Sequence, residues 1–219
     1  AVLMSSSSGG GIAIIRRADK ACLFYAGGLN AHSAELIGDD ILAAAFSFRS
    51  DQLRLYDLKA GRMAAKPAWM TRVGGAHGVV WDQRRGVLWT LGNKALLEVK
   101  IVRRDGPAGE MGRRFELPTG GGHDLFAYDE RSLSVTTNEG VYVFDTEAGT
   151  FGPLEGLDGE KDVKSVCRHP QTGQVIYTQG EPVFTNKVHL VGGPTLELPP
   201  KNLYKARWNA PSAFGAAGK

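Results

Sequence analysis

Three histidines and two lysines recur along the chain at near-equal intervals: His32, His77, His123, Lys164 and Lys205, at steps of 45, 46, 41 and 41 residues. An imidazole exchanges protons near neutral pH, and a lysine ammonium neutralises a carboxylate or phosphate. If the five side chains converge, two arrangements relieve their mutual repulsion. In one, Lys164 and Lys205 hold an anion as point charges. In the other, neutral His32, His77 and His123 ligate a divalent Zn, Mn or Fe with open positions, and the lysines face the substrate. Crowded cations disfavour charge, so the imidazoles should be pushed toward neutral and the lysines lowered.

Convergence requires a fold that returns the chain to one place every forty-odd residues. Each marker opens a short apolar run, such as His77-Gly78-Val79-Val80-Trp81-Asp82 or Lys164-Ser165-Val166-Cys167-Arg168. A period in the forties is the signature of a repeated four-stranded unit. After each run come a turn rich in Gly, Asp or Pro and a second strand, predicted at 41–47, 87–91, 133–137 and 175–179. Third strands follow at 53–58, 95–102, 141–145 and 187–191, and fourth strands near 69–73, 114–117, 150–154 and 195–198. No helical period with caps is sustained anywhere.

The fifth unit is split. Its inner strand is expected at 203–209, and its other three at 2–5, 12–16 and 23–25. From Lys205 through the chain end and back to His32 is again a step of 46 residues. The sequence therefore predicts an all-β, five-bladed β-propeller of four-stranded antiparallel blades, closed by N-terminal strands joining the C-terminal inner strand. One domain, 1–219, would hold blades at 32–73, 77–117, 123–154 and 164–198, with 203–209 plus 2–26 as the fifth. The Ser5–Gly11 run, linker-like in composition, fits as a loop of that last blade.

Composition narrows the partners. A net charge of +3 from 26 basic and 23 acidic residues argues against nucleic acid as the partner. The doublets Arg16-Arg17, Arg84-Arg85, Arg103-Arg104 and Arg113-Arg114 are scattered and read as solvated surface. No apolar stretch is long enough to span a membrane as a helix. Cys22 and Cys167 fall on different blades and are not expected to pair; Cys167 reads as a buried thiol. Ala1 opens directly into a strand, so a leader was either removed or not needed, and a secreted or periplasmic monomer is expected.

Around the markers, the loops between second and third strands carry polar and aromatic groups suited to a polar ligand. Candidate substrate contacts are Asn30, Arg49, Asn93, Asn138, Gln179, Glu181, Phe184, Asn186 and Arg207, beside Phe48, Asp51, Lys94 and Glu139. Tyr204 stands next to Lys205 as a candidate proton donor. Glu35 and Arg207 interrupt apolar inner strands and could pair with each other. Asp124 adjoins His123, but neighbouring strand residues point to opposite faces.

The signatures Asn30-Ala31-His32-Ser33, Ala76-His77-Gly78-Val79-Val80-Trp81-Asp82, Gly122-His123-Asp124-Leu125, Val163-Lys164-Ser165-Val166 and Leu203-Tyr204-Lys205-Ala206-Arg207-Trp208 resemble a family of bacterial five-bladed propellers of unknown function. That resemblance covers essentially the whole chain and implies the fold and the marker positions, but no reaction. Five-bladed furanosidases are similar in architecture and use inner-strand carboxylates; here His and Lys stand at those places, so a paired-carboxylate mechanism has no residues. Oligogalacturonate and streptogramin lyases resemble the chain only as propellers, of seven blades, with His around a metal and an anionic or lactone substrate.

Together these readings point to a carbohydrate-active lyase that β-eliminates from a uronate-containing glycan. Catalytic candidates are His32, His77, His123, Lys164, Lys205 and Tyr204. A non-catalytic propeller that binds a glycan or small anion, and a metal-dependent hydrolase or isomerase of a small polar metabolite, are the alternatives.

Overall fold

In the computed structural model, which describes residues 1–6, 9–199 and 202–215, every regular element is a β-strand. The fold class is the five-bladed β-propeller, and each blade is an antiparallel meander. Strands β1 (Val2–Ser6), β2 (Gly11–Ile15) and β3 (Cys22–Gly27) form a three-stranded sheet. The next four sheets each have four strands. They comprise β4 (Ala31–Ile37), β5 (Ile41–Phe46), β6 (Gln52–Asp57) and β7 (Trp69–Arg72), then β8 (Gly78–Asp82), β9 (Val87–Leu91), β10 (Ala95–Arg103) and β11 (Pro107–Glu116). They continue with β12 (Asp124–Ala127), β13 (Ser132–Thr136), β14 (Val141–Asp145) and β15 (Thr150–Pro153), and end with β16 (Val163–Arg168), β17 (Val175–Gln179), β18 (Lys187–Leu190) and β19 (Thr195–Glu197).

These bounds match the expected strands within a residue or two, except at β11. That strand begins at Pro107 rather than near 114, because β10 is long enough to pair it over a ten-residue hairpin arm. The chain separates into two compact units, Ala1–Arg114 with the first three sheets and Phe115–Lys219 with the last two.

Within the first unit, stacking of sheets face to face explains the residue pattern. All six residues of β5 are buried, since both of its faces are covered. Ala43 and Ala45 pack with Val79, Leu88 and Val99 of the following sheet. The alternate residues Leu42, Ala44 and Phe46 pack with Ile12, Ile14 and Phe24 of the preceding one. Small alanines at the centre of β5 let the neighbouring sheets approach closely. In the second unit, Val141, Leu154, Val163, Val166 and Val175 form the corresponding core.

Side chains also stitch successive inner strands together. The residue after the marker accepts a main-chain hydrogen bond from the next inner strand. Val79 N–H donates to Ser33 Oγ (3.3 Å), Val166 N–H to Asp124 Oδ2 (3.1 Å) and Ala206 N–H to Ser165 Oγ (3.0 Å). The last of these replaces an expected element. Instead of a regular strand over 203–209, Leu203 forms an isolated bridge with Thr185, and the segment is then tied by side chains. Trp208 N–H donates to Cys167 Sγ (3.4 Å), and the Thr178 hydroxyl donates to the Tyr204 carbonyl (2.9 Å). Cys22 and Cys167 are both free thiols, as expected. Ser7 and Ser8 of the Ser5–Gly11 loop lie outside the described residues.

Candidate functional site

Two residues before each of the first four markers, the backbone adopts left-handed φ: 52° at Asn30, 61° at Gly75, 79° at Gly121 and 55° at Asp162. Asn, Asp and Gly are the residues that tolerate this conformation. The reversal there feeds the chain into the inner strand and sets where the marker side chain points. At His32 and Lys164 a bulge adds to it, breaking the register between Ala31 and Ser33 and between Val163 and Ser165. A bulge re-aims the side chain it carries.

In the first unit this geometry pairs His32 with His77, their ring centroids 4.3 Å apart and tilted by 57°. The His32 Nδ1 lies 2.8 Å from the carbonyl of Asn30, and the His77 Nδ1 lies 2.8 Å from that of Gly75. A carbonyl only accepts, so each Nδ1 carries the proton and each Nε2 is the basic nitrogen. Ser47 Oγ lies 3.2 Å from His77 Nδ1. Asn30 also donates from Nδ2 to the Phe48 carbonyl (2.8 Å), which holds the exposed loop bearing Phe48 and Arg49. Asp51 accepts from Gly75 N–H at 2.7 Å. A Cβ at Gly75 would fall 2.2 Å from the Asn93 side chain, so Asn93 packs flat on the glycine behind His77.

The second unit wires the same position differently. His123 Nε2 lies 2.6 Å from Asn138 Oδ1 and 3.0 Å from Lys164 Nζ, and its Nδ1 lies 3.3 Å from the Tyr204 hydroxyl. Burial, then the neighbouring Lys164 charge, lowers the His123 pKa to about 4, so the ring is neutral at pH 7. Burial also raises Tyr204 to about 12, helped by the charge of Asp124, which keeps the phenol protonated. Lys164 is buried, and Asp162 Oδ1 stands 3.3 Å from its Nζ. Gly180 makes room for that lysine: a Cβ there would lie 2.8 Å from Lys164 Cε. Phe184 meets the Tyr204 ring edge-on at 6.0 Å.

Lys205 and Arg207 turn to a partner the sequence did not assign to them. Asp124 Oδ1 lies 2.9 Å from Lys205 Nζ and 2.6 Å from Arg207 Nη2, at a carboxylate that is 1% exposed. Burial alone would raise the Asp124 pKa; Arg207 and Lys205 outweigh it, and the carboxyl is held below its usual range. Lys205 is lowered by the same burial, only partly offset by Asp124. The guanidinium of Arg207 also lies 4.4 Å from the Phe126 ring. The carboxylate shown on Arg207 is thus Asp124, where Glu35 was expected.

The remaining candidates point elsewhere. Gln179 donates to Glu160 Oε2 (3.0 Å) and the Lys161 carbonyl (2.8 Å). Glu181 pairs with Lys187 at 3.1 Å, and Asn186 donates to Glu197 Oε1 and the Leu198 carbonyl toward the outer strand β19. Among the described residues no group of three or more His, Cys, Asp or Glu side chains could hold a metal ion. The Lys164 ammonium lies on the Nε2 side of His123, 3.0 Å away. Sequence reading missed Asp162 and the role of Asp124. The recurrence of Asn30, Gly75, Gly121 and Asp162, two residues ahead of the markers, was the signal for the first.

Residues 1–218 match a family of unknown function (DUF6528). The chain belongs to that family. A comparison with curated proteins finds no match. Among solved structures, it is similar to virginiamycin B lyase from Staphylococcus aureus, with a TM-score of 0.59 and 12% identity over 91% of this chain and 66% of that one. A chain of the mitotic checkpoint complex matches at a TM-score of 0.63 and 12% identity, covering 90% and 62%. Hydrazine synthase of Kuenenia stuttgartiensis matches at 0.59 and 14%, also covering 90% and 62%. The chain therefore spans about two thirds or less of each of these structures. At such identity the likeness is one of fold, and one of these structures is that of a lyase.

Proposed function

From membership of a family without assigned chemistry, we propose that the protein is a lyase that β-eliminates from a carboxylate-bearing, uronate-type glycan. One observation carries this reading: a neutral imidazole, His123, with a lysine ammonium at one nitrogen and a protonated phenol at the other. Elimination next to a carboxylate needs these three parts. A cation must neutralise the carboxylate so that the adjacent C–H becomes acidic; a base must take that proton; an acid must protonate the departing oxygen.

In the proposed cycle the reacting ring carries its proton on Nδ1, the substrate carboxylate draws Lys164 onto itself, and Asn138 turns its oxygen aside, which uncovers His123 Nε2 as the base. The ring removes the proton α to the carboxylate, the bond from the β-carbon to the leaving oxygen breaks, and Tyr204 supplies that oxygen with a proton. A carbon–carbon double bond forms between the two carbons. The imidazolium then returns its Nδ1 proton to the Tyr204 phenolate across their 3.3 Å contact. The ring is then neutral with its one proton on Nε2, facing Asn138 Oδ1 2.6 Å away, and exchange with water, which delivers a proton to Nδ1 as the Nε2 proton leaves, restores the starting tautomer. Asn138 and Asp162 are exposed beside the buried Lys164, which gives a substrate a way to reach it.

The test is ultraviolet absorbance during incubation with a panel of polyuronates. A rise from the new double bond that is lost in Tyr204→Phe and His123→Gln supports the assignment. No rise with any member of the panel overturns it, and saturable binding without turnover would make the protein a glycan-binding module instead.

A further inference from the structure

The loop between β17 and β18 leaves two consecutive apolar residues in solvent, Val183 at 50% exposure and Phe184 at 38%. Exposure of an apolar residue is ordinary in itself; what singles out this loop is how it is held. Gly180 N–H donates to the Asp162 carbonyl (3.0 Å), at the reversal before Lys164, and Glu181 N–H donates to the Phe184 carbonyl (3.0 Å). Thr185 and Leu203 exchange both main-chain hydrogen bonds, at 3.1 and 2.7 Å. The next residues along, Phe184 and Tyr204, then stand opposite each other as a non-hydrogen-bonded antiparallel pair, the kind that brings side chains closest. Their ring centroids lie 6.0 Å apart with the planes at 66°. A single edge-on neighbour covers at most one face of a ring, and Phe184 keeps much of its surface open.

We infer that Phe184 is the platform on which the departing sugar ring of the substrate stacks, an assignment that rests on the elimination reading and adds a second sugar to it. The order of contacts carries the inference. Lys164 Nζ lies 3.0 Å from His123 Nε2, the Tyr204 hydroxyl lies 3.3 Å from His123 Nδ1, and Phe184 flanks Tyr204. A substrate laid along that series puts its carboxylate at Lys164, its α-proton at His123 and its leaving oxygen at Tyr204. The sugar attached to that oxygen then falls beside Phe184. A pyranose presents a C–H face to an aromatic ring, and an aromatic wall next to a few placed polar groups is the make-up of a ligand site. Charge does not oppose an anionic ligand here, because both oxygens of Glu181 on the same loop are held by Lys187, at 3.1 and 3.2 Å. Phe184 moves no proton; it selects substrates that carry a ring on the leaving oxygen.

Calorimetry with the trimers and monomers of galacturonate and mannuronate tests the platform without turnover, in a Tyr204→Phe background that keeps the ring contact. Phe184→Leu retains an apolar side chain and removes the ring. It should weaken trimer binding about tenfold and leave monomer binding within about twofold, whereas Phe184→Trp should hold the trimer. Leu196→Ala, which trims an exposed residue of β19, should change neither. In the absorbance assay with Tyr204 intact, Phe184→Leu should raise KM for the trimers about tenfold. Uronates with a methoxy group at the β-carbon, which release methanol, should lose no more than about twofold. Equal losses on trimer and monomer would make Phe184 a prop for Tyr204 and overturn the assignment, as would unchanged trimer affinity or silence of both trimers. Turnover indifferent to Phe184→Leu would overturn it while leaving the elimination reading in place. The trimer-selective loss of binding without any turnover would support the platform and remove the lyase.

Discussion

His77 in the first unit and His123 in the second hold the same place in the repeat, yet their surroundings give them opposite characters. His77 turns Nδ1 to a carbonyl two residues back and packs beside a second imidazole. His123 turns Nδ1 to a phenol eighty-one residues on in sequence and meets an ammonium at Nε2. The repeat fixes where the Cβ stands and leaves the hydrogen-bond partners to residues that do not repeat. A carbonyl partner fixes a tautomer and does no more. An ammonium and a phenol give the ring somewhere to send and receive protons.

The largest way to break this contrast is to remove the carboxylate beneath the second unit's cluster. Asp124→Ala leaves Lys205 and Arg207, both partly buried, without their shared partner, and should cost about 3 kcal/mol in urea denaturation. Next in size is the effect on turnover. His123→Gln should lower any lyase rate by about 10²- to 10⁴-fold, whereas His32→Gln, in the carbonyl-held pair, should change it only a few fold. Equal losses in the two variants would erase the distinction drawn here.

Smaller still is the glycine pair. Gly121→Ala and Gly75→Ala place a Cβ at left-handed φ and 2.2 Å from Asn138 or Asn93, and each should cost about 1–2 kcal/mol in stability. Asn30→Gly, at the equivalent turn of the first inner strand, should change stability by only a few tenths.

The mildest test is titration of His123 by NMR, with a midpoint expected at about 4. An imidazole lowered from its ordinary 6.5 binds its proton more readily in the unfolded chain. Its contribution to stability is therefore complete above pH 6.5 and is lost as pH falls toward 4. Lys164→Gln should raise that midpoint only part of the way, because burial is the larger cause.

The blades were legible in the sequence because short apolar runs bounded by turn residues repeat with the markers, down to exact bounds at Val87–Leu91. The clustering of His123, Lys164 and Tyr204 was legible for the same reason. The destination of Lys205 was not. A charged side chain at a marker position reads as facing a ligand, and nothing local reveals that Asp124, 81 positions earlier, lies within 2.9 Å. The partners of Asn186 and Gln179 were not legible either: polar loop residues near a strand end can turn to either edge, and these two donate to Glu197 and Glu160. The irregular 203–209 segment escaped because hydroxyl, thiol and carboxylate groups hold it where a ladder of main-chain bonds was expected.

The reach of the Asp124 clamp has a consequence for synthesis. Arg207 is translated 83 residues after the aspartate it neutralises. At ribosomal speeds the acid waits roughly 5–15 s before either cation exists. During that interval the sheets of β12 and β16 can form on either side of a carboxylate that must stay hydrated or take up a proton. Arrival of the 203–209 segment expels that water, and the final docking step is then driven by charge more than by greasy surface. Early intermediates of the second unit should therefore respond to acidity and salt in ways that the finished molecule does not.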